Sequence, residues 1–233
     1  MELKINPKFI FKILVINILI LFIANCLGIA VRYIIGDGYD KYVKLFDFDE
    51  EDNFPTYYSS VSLLFASVLL LFISYFNKYN GIKYILWFIL AMAFFYASLD
   101  EFTQLHEKLD NILRKAFNPT GIFFYAWVIP YGIVALLTGI IYYFYFLRKL
   151  PKKISRLFIF SGVTFITGAI GFELIGSKFI TEPGHFNLTT SILYTFEELF
   201  EMSGITLFIY ALLLYIKNNV TKSITFKKIA PEN

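Results

Sequence analysis

Asp100, Glu101, Gln104 and Glu107 close the third apolar segment of this chain, Glu173 lies near the end of the fifth, and Glu197, Glu198 and Glu201 lie near the start of the sixth. An ionisable side chain inside a membrane-spanning helix costs roughly 2.5–3.5 kcal/mol, so such residues mark a site before they mark anything else. Seven carboxyls in one neighbourhood cannot all stay ionised, because like charges raise one another's pKa. Protons, a cationic side chain or a bound cation must balance them. The chemistry open to this set is therefore cation binding. Oxygen-only ligands favour Mg²⁺, Ca²⁺ or Mn²⁺, while the sequence does not separate these from Fe or Zn. In a hydrolytic version the ion would activate water, with Glu101 or His106 as general base.

Carboxylate-rich bundles that hold two metals usually add a helical Glu-x-x-His. No helix here carries that spacing, and Glu182-Pro-Gly-His185 has it only where Pro183 and Gly184 dictate a loop. No serine or cysteine nucleophile motif supports a covalent route. Cys26 is the only cysteine, so no intrachain disulfide forms.

The elements that must carry these residues follow from composition. The chain is 58% hydrophobic and 20% aromatic, with a mean hydropathy of +0.63. Six apolar stretches, about 10–35, 58–76, 82–104, 121–147, 155–177 and 189–216, each approach or exceed the ~20 residues a helix needs to cross the hydrocarbon. Their apolar residues are continuous, which excludes a barrel. The expectation is a single all-α integral membrane domain over residues 1–233, a polytopic bundle of about six transmembrane helices contacting membrane lipids.

Lys4, Lys8 and Lys12, then Lys78 and Lys83, then RKLPKKISR, then Lys217, Lys222, Lys227 and Lys228 fall on one side of such a bundle. By the positive-inside rule that side is cytoplasmic, with both termini inside and the cell membrane as location. These cations read as topology signals rather than as a nucleic-acid surface. Measured from that side at 1.5 Å per residue, Asp100, Glu173 and Glu198 all lie roughly 25–29 Å up their helices. Arg32 lies about 30 Å and Asn25 about 20 Å up the first helix. Arg32 is the expected counter-ion, and Asn25 and His106 are expected supporting groups.

On an unbroken helix, at about 100° per residue, Asp100, Gln104 and Glu107 share one face, Glu101 lies to its side and His106 is turned away. Beyond Glu107 the apolar stripe Leu109, Ile112, Leu113, Ala116 and Phe117 faces a polar set including Asp110 and Arg114, which predicts an interfacial amphipathic helix ended by Asn118-Pro119. Gly162, Gly168, Gly171, Gly176 and Gly204 predict close packing of the fifth and sixth helices. The first outer loop, LFDFDEEDNFPTYYSS, is too acidic for a casual connector, but it lacks the turn glycine and closing Glu of a calcium loop.

FDFDEEDNFPTYYSS, SLDEFTQLHEKL and FEELFEMSG together resemble the signature of a family of small polytopic bacterial and archaeal membrane proteins with no assigned activity. The resemblance implies a membrane fold and an outer polar site, and it supplies no reaction. Three functions stay open. The first is a transporter, channel or sensor whose carboxylates bind a divalent metal or protons. The second is a membrane-embedded, metal-dependent enzyme acting on a lipid or small molecule at the outer leaflet. The third is a structural or assembly partner. Asn17, Ser67, Ser74, Thr138 and Thr164 are scattered through the inner halves of the helices and offer little for a conducting path.

Overall fold

The computed structural model describes residues 6–36, 40–179 and 187–220. Its long elements are α1 (Pro7–Ile35), α2 (Phe54–Tyr79), α3 (Ile85–Thr103), α4 (Leu105–Phe117), α5 (Val128–Tyr145), α6 (Lys152–Ile166) and α7 (Leu188–Tyr215). Beyond α6 the chain stays helical through a π-helical turn, Thr167–Phe172, and a short helix, Glu173–Gly176. Six of these stretches are long and apolar enough to cross a membrane, namely all but α4. Among the described residues there is no β-strand.

Local chemistry fixes the helix starts. Asn6, Asn53 and Asn187 each accept a hydrogen bond from a backbone N–H in the first turn of the helix that follows, supplying a partner that the opening turn lacks. Pro7 and Pro55 sit in the first turn, where no N–H is needed.

The bundle is built around α7, which packs against α1, α2 and α6. Of its most apolar stretch 56% is buried inside the protein, against 11% for the span containing α5. α2 and α3 meet through small polar side chains: Ser60 Oγ donates to the Ser98 carbonyl at 2.9 Å, and Ser98 Oγ returns the bond to Ser60 at 2.8 Å. Ser67 Oγ donates to the Ala91 carbonyl lower in the same seam. Short hydroxylated residues let two backbones approach while satisfying polar groups in hydrocarbon.

Away from the carboxylates the core is aromatic. The Trp87 ring lies 4.7 Å from Phe146 and 4.7 Å from Tyr215, and Phe208 lies 4.5 Å from Phe94 and 4.7 Å from Phe158. Leu70, Ile73, Ile209 and Leu212 fill the space beside them with no exposure.

α5 is held differently. Its backbone stands off from the other spans, and tyrosines bridge the gap to α3. Tyr96 and Tyr131 join hydroxyls at 2.8 Å near one end, and Tyr142 donates to the Leu86 carbonyl at 2.8 Å near the other. The span begins at Val128 rather than near residue 121, because Asp110 takes over the segment before it. Asp110 Oδ1 accepts the N–H groups of Ala126 and Trp127 at 2.6 and 3.3 Å, so this carboxylate caps α5 from the amphipathic helix. Periodicity places Asp110 on a polar surface; here it is 5% exposed.

Candidate functional site

Three elements bring acidic side chains to one cavity of about 1430 Å³, at the end of the bundle where α3 stops and α7 begins. From α3 come Asp100 and Glu101, from the region after the π turn Glu173, and from α7 Glu197, Glu198 and Glu201. The loop before α2 adds Asp49, Glu50 and Glu51, and α4 adds His106 and, at the exposed rim, Glu107.

The α3 end departs from the unbroken-helix expectation. Gln104 takes a left-handed conformation (φ 55°), its N–H bonded to the Asp100 carbonyl, and the chain restarts as α4 at Leu105. Gln104 spends itself on this turn and does not line the cavity. The reversal folds His106 back onto Asp100: the His106 N–H donates to Asp100 Oδ1 at 2.8 Å, and its Nδ1 lies 3.6 Å from Oδ2. His106 therefore faces the cavity instead of turning away, with Nε2 4.0 Å from Glu51 Oε1 and its ring 4.9 Å from that of Trp127. Glu101, expected at the side, points inward, where its nearest charged neighbours include Glu198, Glu201 and Glu51.

The acidic loop is a plug. Asn25, 1% exposed within α1, donates from Nδ2 to Thr195 Oγ1 on α7 at 2.8 Å and accepts the Phe48 N–H at 3.0 Å. Phe48 is thereby seated against Ile18, Leu21 and Met202. Asn53 Nδ2 gathers the carbonyls of Asp47 and Glu50 at 2.6 and 2.7 Å and closes the loop on itself. Arg32, the expected counter-ion of the helix acids, pairs at 2.7 Å with Asp47 in this loop. Length arithmetic puts Arg32 at the right height, but the loop descends to meet it first.

α6 and α7 touch backbone to backbone at two glycines. A Cβ on Gly168 would lie 2.7 Å from the Glu197 carbonyl oxygen and 2.9 Å from the Glu201 nitrogen, and one on Gly204 would lie 2.8 Å from the Phe165 nitrogen. Gly176 makes an ordinary 3.4 Å approach to Tyr194, while a Cβ on Gly171 would meet only Thr167, and one on Gly162 would meet nothing within 4 Å. Gly168 is the second residue of the π turn, whose extra residue re-aims the chain before Glu173. Glu173, 7% exposed, accepts a hydrogen bond from Trp127 Nε1 at 3.2 Å.

Electrostatics at the mouth follow from crowding. Burial, then the nearby charges of Glu107, Asp52 and Asp100, push Glu51 up to about 7 although His106 opposes this. For His106, burial favours the neutral ring, but the hydrogen bond and charge of Asp100 and the charges of Glu51 and Glu107 outweigh it and raise its pKa. Three carboxylate oxygens, Glu51 Oε2, Glu197 Oε2 and Glu198 Oε2, are buried with no hydrogen-bond partner among the described residues. Arg114 guards the outer edge, 3.8 Å from Asp110 and stacked 3.9 Å over the Phe124 ring.

Among the described residues no group of three or more His, Cys, Asp or Glu side chains is arranged to hold a metal ion. Glu182 and His185 lie outside the described residues. The sequence alone presents the plug loop as a separate feature and gives Asp49, Glu51 and Asp110 no place in the site. The signal for the loop is Asn25, an amide deep in an apolar helix that needs a partner.

Six apolar spans around a polar cavity define a multi-pass helical membrane protein. Residues 13–216 match the family model of DUF8692, a domain of unknown function, and the chain belongs to that family. No curated protein matches it, and no solved structure does.

Proposed function

We propose that this protein binds a cation in the carboxylate chamber, from the outer face of a cell membrane, as a sensor or carrier rather than as an open channel. The observation that supports this most directly is the set of buried, unpartnered carboxylate oxygens on Glu51, Glu197 and Glu198, which face one cavity together with Glu101 and Glu201. Such groups are costly unless a proton or a cation meets them. The groups nearby that can carry positive charge are already engaged: Arg32 with Asp47, Arg114 with Asp110 and Phe124, and His106 with Asp100. Further along the cavity the walls turn apolar, with Phe94, Ile159, Phe165 and Phe208, which argues against conduction by a polar path. The chamber's occupant is then a proton or a cationic group, and because no carboxylates are grouped as metal ligands among the described residues, a divalent metal would have to draw them together on binding.

The test is thermal unfolding of the detergent-purified protein at pH 8 with Mg²⁺, Ca²⁺, Mn²⁺ or ethylammonium, beside elemental analysis and a Glu198→Gln, Glu201→Gln variant. Stabilisation of the parent by at least one of these ions, lost in the variant, is the expected result. A parent that none of them stabilises, and whose unfolding ignores pH, sinks the proposal.

A further inference from the structure

The carboxylates line only one end of the cavity. Below them it continues between α3, α5, α6 and α7 as a cleft walled by residues such as Ala135, Ile140, Val163, Ile166, Phe165 and Phe208. Along α5 alone it runs from Pro130 to Phe144, roughly 21 Å of helix rise, more than the ~15 Å depth of one hydrocarbon leaflet. Two glycines show how open this cleft is. Gly139 on α5 and Gly162 on α6 both border it, and an added Cβ at either position would meet no atom within 4 Å. The tyrosine bridges close the α3 side of α5, whereas among the described residues no side-chain hydrogen bond ties α5 to α6. Leu136 and Ile140 on α5 and Val163 on α6 line the cleft and are exposed, so it opens between these two helices.

We infer that the cavity accepts a single-chain amphiphile with an ammonium head group and no phosphate, the head in the carboxylate chamber and the chain in the apolar cleft between α5 and α6. This rests on the cation reading above and adds to it the chain. The two halves of the cavity match the two halves of such a molecule. Unpartnered oxygens on Glu197 and Glu198 offer acceptors for an N–H donor group, and the apolar walls bury methylenes at about 0.8 kcal/mol each. A phosphate beside the ammonium would meet the same carboxylates and be repelled. An alcohol or carboxylate head would leave the chamber's charge unbalanced.

The experiment is native mass spectrometry of the full chain released from non-ionic detergent after titration with dodecylamine, dodecanol, dodecanoate or lysophosphatidylethanolamine. Ethylammonium is tested in parallel by thermal shift. The expected result is one retained dodecylamine, half-saturating about tenfold below dodecanol, dodecanoate or the lysophospholipid. Glu198→Gln with Glu201→Gln should remove that preference. Gly162→Leu, which fills the open cleft without touching the chamber, should weaken dodecylamine about tenfold while leaving the ethylammonium shift intact. This second variant keeps the proposal testable where the double variant fails to fold. Equal retention of all single-chain probes overturns it, as does retention of the lysophospholipid at or below the dodecylamine concentration. If ethylammonium stabilises the protein as strongly as dodecylamine does, the cation chamber stands and the amphiphile is excluded.

Discussion

The fifth span, α6 and the π turn that continues it, presents two glycines six residues apart to opposite surroundings. Gly168 lies against the backbone of α7 with no room for a methyl group, and Gly162 borders open space. One side of the bundle is closed by small residues at van der Waals contact, as at the serine seam between α2 and α3. The other, between α5 and α6, is left open, because long tyrosines hold α5 to α3 instead. In a membrane, apolar burial does not by itself draw helices together, because lipid is as apolar as leucine. Where helices meet and where they leave a gap is therefore set by side-chain size and by hydrogen bonds, and this protein uses both settings on one span.

The comparison breaks first at Gly168. Gly168→Leu forces α6 from α7 against backbone atoms that cannot swing aside, and should cost more than about 3 kcal/mol. Loss of a monodisperse peak in detergent, or a collapse in the unfolding temperature, is the readout. A parent-like melt would show that the seam is looser than the 2.7–2.9 Å approaches imply.

Asn25→Leu should come next. It leaves the Phe48 N–H without its acceptor and cuts the link to Thr195, at about 1–3 kcal/mol. Because the loop carries Glu51 into the chamber, this variant should also weaken any cation-induced stabilisation, which a purely local packing loss would not do.

A third test uses pH. Glu51 and His106 both bind protons more tightly in the folded protein than in the unfolded chain. Their stabilising contributions are complete below the unfolded values, near 4.5 and 6.5. That of Glu51 is lost as pH rises towards about 7, and that of His106 as pH rises through its own elevated value. Unfolding temperature should fall from pH 5 to pH 8 in the absence of a bound cation, and Glu51→Gln should flatten the slope. A rise over that range would contradict the assignment.

The smallest effect is Gly162→Ala. With nothing within 4 Å to obstruct it, the methyl group should only relieve the helix cost of glycine, raising stability by about 0.5–1 kcal/mol. A destabilising result would mean the cleft is narrower than the structure describes.

Much of this architecture was legible from residues alone. Six spans follow from continuous apolar runs, and α4 from its stripe at Leu109, Ile112, Leu113 and Ala116. The helix acids could be set at one height because rise per residue does not depend on tertiary structure. Direction around the axis was less secure. After the reversal at Gln104 the Asp100 carbonyl takes the last N–H of α3 and its carboxylate caps α4, and no periodicity reports such a break. The plug was illegible for a related reason: its position is set by hydrogen bonds from Asn25, 23 residues away from Phe48, and to Thr195, 170 residues away from Asn25. Gly162 and Gly168 look alike in sequence, and only the neighbouring helix decides which of them is a contact.

The chain holds two tryptophans, and they fall one in each regime. Trp87 is sealed among Phe146, Phe158 and Tyr215, while Trp127 lies beside the His106 imidazole and donates to Glu173. A protonated imidazole quenches indole emission and a neutral one does so far less. Replacing Trp87 with phenylalanine would therefore leave a protein whose intrinsic fluorescence reads the protonation of its own chamber, with no label added.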